Sequence, residues 1–209
     1  MNISFEQGPI RPPSEAESLL LRFTRNCPWN KCRFCPVYKD AKFGKRSLEE
    51  ILADIDAISS IIEDIQKKSQ EKGYLGSLDR KLLQEIISDP NLNQEYKNVA
   101  VWAIRGKGHV FIQDANSLIM KTKDLITALK TLKQKVPGIT RITSYARSNT
   151  VAKKSLEDLQ DLKHAGLDRV HIGMESGSDN VLKLVDKGIT AEQHIEAGKK
   201  AVKRGLTLS

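Results

Sequence analysis

The sequence predicts an α/β fold with parallel strands, either a doubly wound sheet or a barrel of β/α units. Two observations carry this. Short apolar runs of strand length alternate along the chain with amphipathic segments of helical period, which calls for parallel strands joined by right-handed crossovers. Helix-start signals stand where that alternation needs them: Ser47-Leu48-Glu49-Glu50 and Ser155-Leu156-Glu157-Asp158 each place a hydroxyl and a carboxylate three residues apart, so that both satisfy orphan amides. A chain of 209 residues suits one domain carrying an insertion, and at that size roughly 70% of the open chain's surface is buried on folding. Neither a metal nor a disulfide is needed to hold such a core, so any metal site would serve chemistry.

Residues 1–17 read as an extended lead-in, because Pro9, Pro12 and Pro13 fix φ and turn their predecessors away from helix. Residues 18–209 form the core domain. Ser18 to Thr24 has the character of a buried strand, and a loop with all the cysteines follows it. The helix opened by Ser47 places Ile51, Ile55, Ile58, Ile62 and Ile65 on one face and stops near Gly73. Residues 74–108 hold two further helical patterns, at about 78–88 and 92–106, divided by Asp89-Pro90, and read as the insertion.

His109 to Gln113 is the second strand, followed by a polar turn from Asp114 to Ser117 and a helix over 122–135 that Pro137-Gly138 ends. Thr140 to Ala146 is the third strand, and the helix capped by Ser155 ends at Gly166. Arg169 to Met174 is the fourth, after which the turn Glu175 to Ser178 feeds a short helix. Thr190 opens the last helix, Gly205 ends it, and Leu206 to Ser209 begins a fifth strand. A central parallel strand needs neighbours on both sides, so the expectation is a fragment of a longer polypeptide whose further strands complete the sheet or barrel.

Composition narrows the function. Hydrophobic residues at 39% and charged at 29% are ordinary for a soluble globular domain. No apolar run approaches the roughly 18 residues of a membrane span, and the amino terminus lacks the basic start and apolar core of a signal peptide. The 34 Lys and Arg against 26 Asp and Glu leave +8, which admits a polyanionic partner such as RNA. The basic residues are spread over helical segments, however, and aromatic residues make up only 5%, so the charge reads mainly as solvated helix faces.

The three cysteines, Cys27, Cys32 and Cys35, lie within nine residues directly after a buried strand. Three is an odd number, and the spacing is not that of a secreted disulfide framework, which makes a reducing cytoplasm the expected setting. Closely spaced thiolates on one loop are what an iron–sulfur cluster requires. With three protein ligands, a four-iron cluster keeps one iron open to chelate a small molecule. Two rivals stand beside this reading. A plant-type two-iron cluster needs a fourth cysteine, which the chain lacks, and a zinc site of Cys3His type needs one of His109, His164, His171 or His194, none near the loop in sequence. The histidines read as structural or exposed.

On the loop from Asn26 to Cys35 the sequence resembles the radical S-adenosylmethionine (radical SAM) superfamily, whose members carry three cysteines after the first strand of a β/α barrel. Their usual gaps are three residues and then two, with an aromatic residue before the last cysteine. Phe34 and Cys32-x-x-Cys35 fit, while the first gap here is four residues. The resemblance runs from about 18 to 209 and implies a partial parallel (β/α) barrel, truncated at about the fifth strand.

By the same resemblance, Cys27, Cys32 and Cys35 hold a [4Fe-4S] cluster whose free iron is chelated by S-adenosyl-L-methionine. One electron from the reduced cluster cleaves the cofactor, giving a 5′-deoxyadenosyl radical that abstracts hydrogen from a substrate. An external one-electron donor of flavodoxin or ferredoxin type is implied. Gln113, Asp114 and Asn116 occupy the place of the superfamily's Gly-Gly-Glu turn, without its glycines. Ser144 and Arg147 stand where ribose or carboxylate contacts fall, and Gly173-Met174-Glu175-Ser176-Gly177-Ser178 is similar to the Gly-x-Glu-Ser-Gly-Ser turn of B12-associated and RNA-modifying branches, making Glu175 a cofactor contact. Phe34, Asp114 and Asn116 also have bland readings, as loop anchor and helix caps. The alternative functions are a non-enzymatic iron–sulfur or zinc module that binds nucleic acid, and a simple electron-transfer protein.

Overall fold

The computed structural model describes residues 3–73 and 79–209. β1 (Leu19–Arg22) gives way to β2 (Thr24–Arg25), which turns aside to pair antiparallel with β3 (Gly44–Lys45), and the cysteine loop hangs between these two short strands. The sequence showed no sign of this hairpin, because two-residue strands carry no periodicity to read. α1 (Leu48–Glu71) follows, with the Ser47–Glu50 capping box formed and its isoleucine face buried. Next come α2 (Arg80–Ser88) and α3 (Gln94–Arg105), capped by Asp79 and Asn93. Residues 74–78 of the expected insertion, including the start of its first helical pattern, lie outside the described residues.

In the remainder one or two helices stand between successive strands: β4 (His109–Gln113), α4 (Thr122–Lys135), β5 (Arg141–Tyr145), α5 (Ser148–Lys153), α6 (Leu156–Ala165), β6 (Arg169–His171), α7 (Asp179–Leu184), α8 (Ala191–Lys203) and β7 (Thr207–Leu208). α6 ends at Gly166, which takes φ +114, a left-handed conformation that a side chain would oppose. β6 is three residues shorter than expected, since the chain leaves the sheet through Gly173 and Glu175. α5 is a helix the sequence did not announce. It is six residues long, rich in polar residues and without a side-chain cap, and it forms because Val151 is buried and Asn116 accepts a hydrogen bond from the Arg147 amide at its start.

The main sheet runs β1-β4-β5-β6-β7, every pair parallel, with Leu20 opposite Phe111, Val110 opposite Ile142 and Ser144 opposite Val170. Space follows chain order without a reversal. Winding in one direction is the order of a β/α barrel, whereas a complete doubly wound sheet reverses at a switch point. Along the strands, Val110, Ile112, Ile142 and Val170 join the large hydrophobic core with the isoleucine face of α1. The alternate positions Phe111, Tyr145 and His171 stack edge to face on the other side, with centroids 4.7 to 6.5 Å apart.

The expected insertion and the lead-in both share in this packing. Tyr96, Val99 and Trp102 of α3 belong to the same core, and the Trp102 indole donates to the His109 carbonyl at 2.8 Å. In the lead-in, Phe5 is buried, and buried Glu15 pairs with Arg141 at 2.9 Å.

Candidate functional site

The cysteine loop is shaped by its own polar side chains. Asn26 and Asn30 flank Cys27 at φ 65° and 48°, left-handed conformations that asparagine tolerates better than most residues. The Asn26 amide donates to the Lys42 carbonyl at 2.6 Å, and that of Asn30 to the Tyr38 carbonyl, closing the loop on itself. Two bonds tie it to the segment after α7: the Arg33 amide donates to the Val185 carbonyl at 2.9 Å, and the Trp29 indole to the Asp186 carbonyl at 2.7 Å. Trp29 also fits against Gly188, where a Cβ would stand 2.2 Å from the indole ring and where φ is +68°.

This places Cys27, Cys32 and Cys35, all unpaired, on one cleft of about 360 Å³ at the C-terminal ends of the parallel strands. The opposite walls come from the turns after β4, β5 and β6. Burial pushes the Cys32 thiol above its usual range, while the positive charges of Lys187 and Arg147 act the other way and favour thiolate. The Asn30 amide donates to Cys27 Sγ at 3.4 Å. Lys187 pairs with Glu175 at 2.8 Å and stands 5.8 Å above the Phe34 ring. Arg147 lies 5.1 Å above Trp29 and donates to the Lys187 carbonyl at 2.8 Å.

Among the residues singled out in the sequence, the cleft gathers the three cysteines, Phe34, Arg147 and Glu175. Phe34 remains 49% exposed, so it does not serve as a buried anchor. Four others do not line the cleft. Gln113 donates to the carbonyls of Gly8 and Ile10 and accepts from the Gly8 amide, holding the lead-in. Asp114 is fully buried, and its oxygens are taken by Arg22, the Asn26 amide and the Tyr38 hydroxyl. Asn116 bridges the Arg147 amide and the Thr150 hydroxyl. Ser144 is buried on the strand face it shares with Ile142, and its hydroxyl donates to the Tyr145 carbonyl at 3.1 Å.

The cleft also contains residues the sequence did not mark. Lys187 belongs to no motif, and only the folding of the segment after α7 against the cysteine loop brings it there. Tyr145 faces the cleft by strand alternation, a signal that was present once the strand had been assigned. His171 and His194 line it as well, although neither was given a role from sequence. The His194 Nδ1 lies 2.6 Å from the Ser148 hydroxyl.

No three His, Cys, Asp or Glu side chains among the described residues converge on a single-ion metal site. What the loop does present is three free soft donors on one wall, beside two cations, Lys187 and Arg147, whose charges favour the thiolate of Cys32 against its burial. Such a donor set fits a multi-iron cluster better than a hard ion.

The family model described as the Radical SAM superfamily matches residues 84–209, which span β4 to β7 and all the cleft walls except the cysteine loop and lead-in. No curated protein matches. Among solved structures, the fold is similar to that of OxsB, a cobalamin-dependent S-adenosylmethionine radical enzyme. Its form with aqua-cobalamin and S-adenosylmethionine bound gives a TM-score of 0.58 at 23% identity, over 93% of this chain and 24% of that one. The form with aqua-cobalamin alone gives 0.57 at 21% identity, over 90% and 22%. The apo form gives 0.57 at 22% identity, over the same shares. The chain thus spans about a quarter of that enzyme's length.

Proposed function

Because the chain belongs to the radical SAM superfamily, we propose that it binds a [4Fe-4S] cluster through Cys27, Cys32 and Cys35 and uses S-adenosyl-L-methionine to abstract hydrogen from a substrate. The observation that carries this reading is that one cleft collects all three thiols together with Arg147, Lys187 and Glu175. When bound, the cluster would supply one electron, received from an external flavodoxin- or ferredoxin-type donor, to the sulfonium of the cofactor.

The protein's own residues would prepare the site. Arg147 and Lys187 lower the cost of the Cys32 thiolate, which burial raises. Glu175 keeps a carboxylate at the cleft, where it can exchange its Lys187 partner for the cofactor's ammonium, and Arg147 offers a fixed guanidinium to a carboxylate. Phe34 and Tyr145 present ring surface to the adenosyl group and help exclude water. Gln113, Asp114 and Asn116 act behind the walls, as positioning residues that hold the lead-in, the cysteine loop and the start of α5 respectively, while Ser144 stays within its strand.

The test is anaerobic reconstitution with iron and sulfide, followed by dithionite and S-adenosyl-L-methionine. Expected are about four irons per chain and formation of 5′-deoxyadenosine and methionine, both lost in Cys35→Ala. A reconstituted protein that holds its iron through a Cys27→Ala, Cys32→Ala, Cys35→Ala triple substitution would overturn the ligand assignment. A fully loaded cluster that yields no 5′-deoxyadenosine would overturn the reaction.

A further inference from the structure

On the far side of Arg147 lies a second, open cavity of about 430 Å³, lined by the cysteine loop, the turn after β4 and the corner between α5 and α6. This volume is in the range of small-molecule sites. Three cations line it, Arg147, Lys153 and Lys154, and none of them is ion-paired with a carboxylate among the described residues. Among the described residues the only carboxylate on the wall is Asp158, which already accepts a bond from the Ser155 amide in capping α6 and another from the Thr122 hydroxyl.

Lys154 makes the imbalance acute. Its ammonium is drawn down among half-buried groups and donates only to neutral acceptors, the Thr122 hydroxyl at 2.9 Å and the Met120 carbonyl at 3.4 Å. Burial accordingly lowers its pKa. The Asp158 charge offsets this only in part and forms no ion pair with Lys154, so an incoming anion would relieve the remaining cost of the desolvated cation. The frame is set in advance, since buried Asn116 fixes the Arg147 amide and the Thr150 hydroxyl, and Arg147 is clamped between Trp29 and the Lys187 carbonyl. Leu118 and Ile119 give the cavity an apolar side.

We propose that this cavity binds the phosphoryl group of a phosphorylated small molecule, with Lys154, Lys153 and Arg147 as its counter-charges and the Leu118–Ile119 side taking the organic part. Three cations against one carboxylate call for an anion of nearly two charges, and a phosphate monoester carries about −1.5 to −2 at neutral pH. The site does not depend on the cluster or on S-adenosyl-L-methionine. Because Arg147 lines both spaces, the bound molecule lies beside the cleft, where a substrate subsite would be.

Titration calorimetry on the chain without iron tests this, with phenyl phosphate as the probe. Expected is saturable one-to-one binding that weakens about tenfold in Lys154→Gln, with a smaller loss in Lys153→Gln, whose side chain is exposed. Lys45→Gln removes the same charge from β3, which does not line the cavity, and should leave affinity unchanged. No saturable binding, or equal weakening by Lys45→Gln, would overturn the proposal. A single-stranded oligonucleotide that displaces phenyl phosphate and binds more tightly would overturn the small-molecule assignment in favour of a nucleic-acid surface.

Discussion

Asp114 shows how one buried charge can organise a site without touching its contents. Its carboxylate joins Arg22 of β1 at 2.5 Å, the Asn26 amide and the Tyr38 hydroxyl, so that strand and cysteine loop meet on one group. Burial and the Asp114 charge together push the Tyr38 phenol well above its ordinary range, so it stays protonated as the donor. Asp114→Asn should therefore lower stability by about 3 kcal/mol in urea denaturation, near the low end for breaking a buried pair because Arg22 keeps Glu6 at 3.0 Å. A loss under about 1 kcal/mol would show that Glu6 and water replace it. Gly188→Ala is expected to cost roughly 1–3 kcal/mol, since the added methyl meets the Trp29 ring and the backbone is left-handed; unchanged stability and Trp29 fluorescence would contradict that. The sequence marked Asp114 as an acceptor after a strand, yet its partner Arg22 lies 92 residues away along the chain, and no local pattern announces such a pairing.

At the scale of elements, α1 carries its instructions openly. A capping box starts it, and Ile51, Ile55, Ile58, Ile62 and Ile65 recur at helical spacing and are all buried. Ser47→Ala should cost about 1 kcal/mol and leave the helix in place, because core burial holds the helix along its length. Ile58→Ala should cost roughly 2–5 kcal/mol, since Ile58 is fully buried and its neighbours cannot collapse into the space. Equal losses for the two variants, measured by thermal or chemical unfolding, would mean that the cap counts for as much as the core and would contradict this. α5 is the reverse case. Its six residues lack cap and periodicity, and it exists through its packing against α8 and the bond from the Arg147 amide to Asn116.

For the whole molecule, buried titratable groups set the response to acid. Burial pulls His109, His171 and His194 below their usual 6.5, so each is neutral in the fold and takes up a proton more readily once unfolded. Burial alone would push Glu6 up, but the hydrogen bond from Arg25 and the charges of Arg46, Arg25 and Arg22 outweigh it and hold the carboxyl below its usual 4.5. All four folded-state values are depressed, so the unfolded chain binds more protons in both windows and stability falls as pH falls. The urea midpoint, followed from about pH 8 to about pH 4, should decline first below about 6.5 and again below about 4.5. A midpoint that rises on acidification through the first window would refute the sign. What the sequence determined by itself was the strand–helix alternation, the capped helices and the cysteine loop, because periodicity, capping and ligand spacing are local properties of neighbouring residues. Only the tertiary structure decided the winding of the sheet in one direction, the arrival of Lys187 and the two histidines at the cleft, and the burial of Asp114 away from it, since each depends on which distant segments share the cost of leaving water.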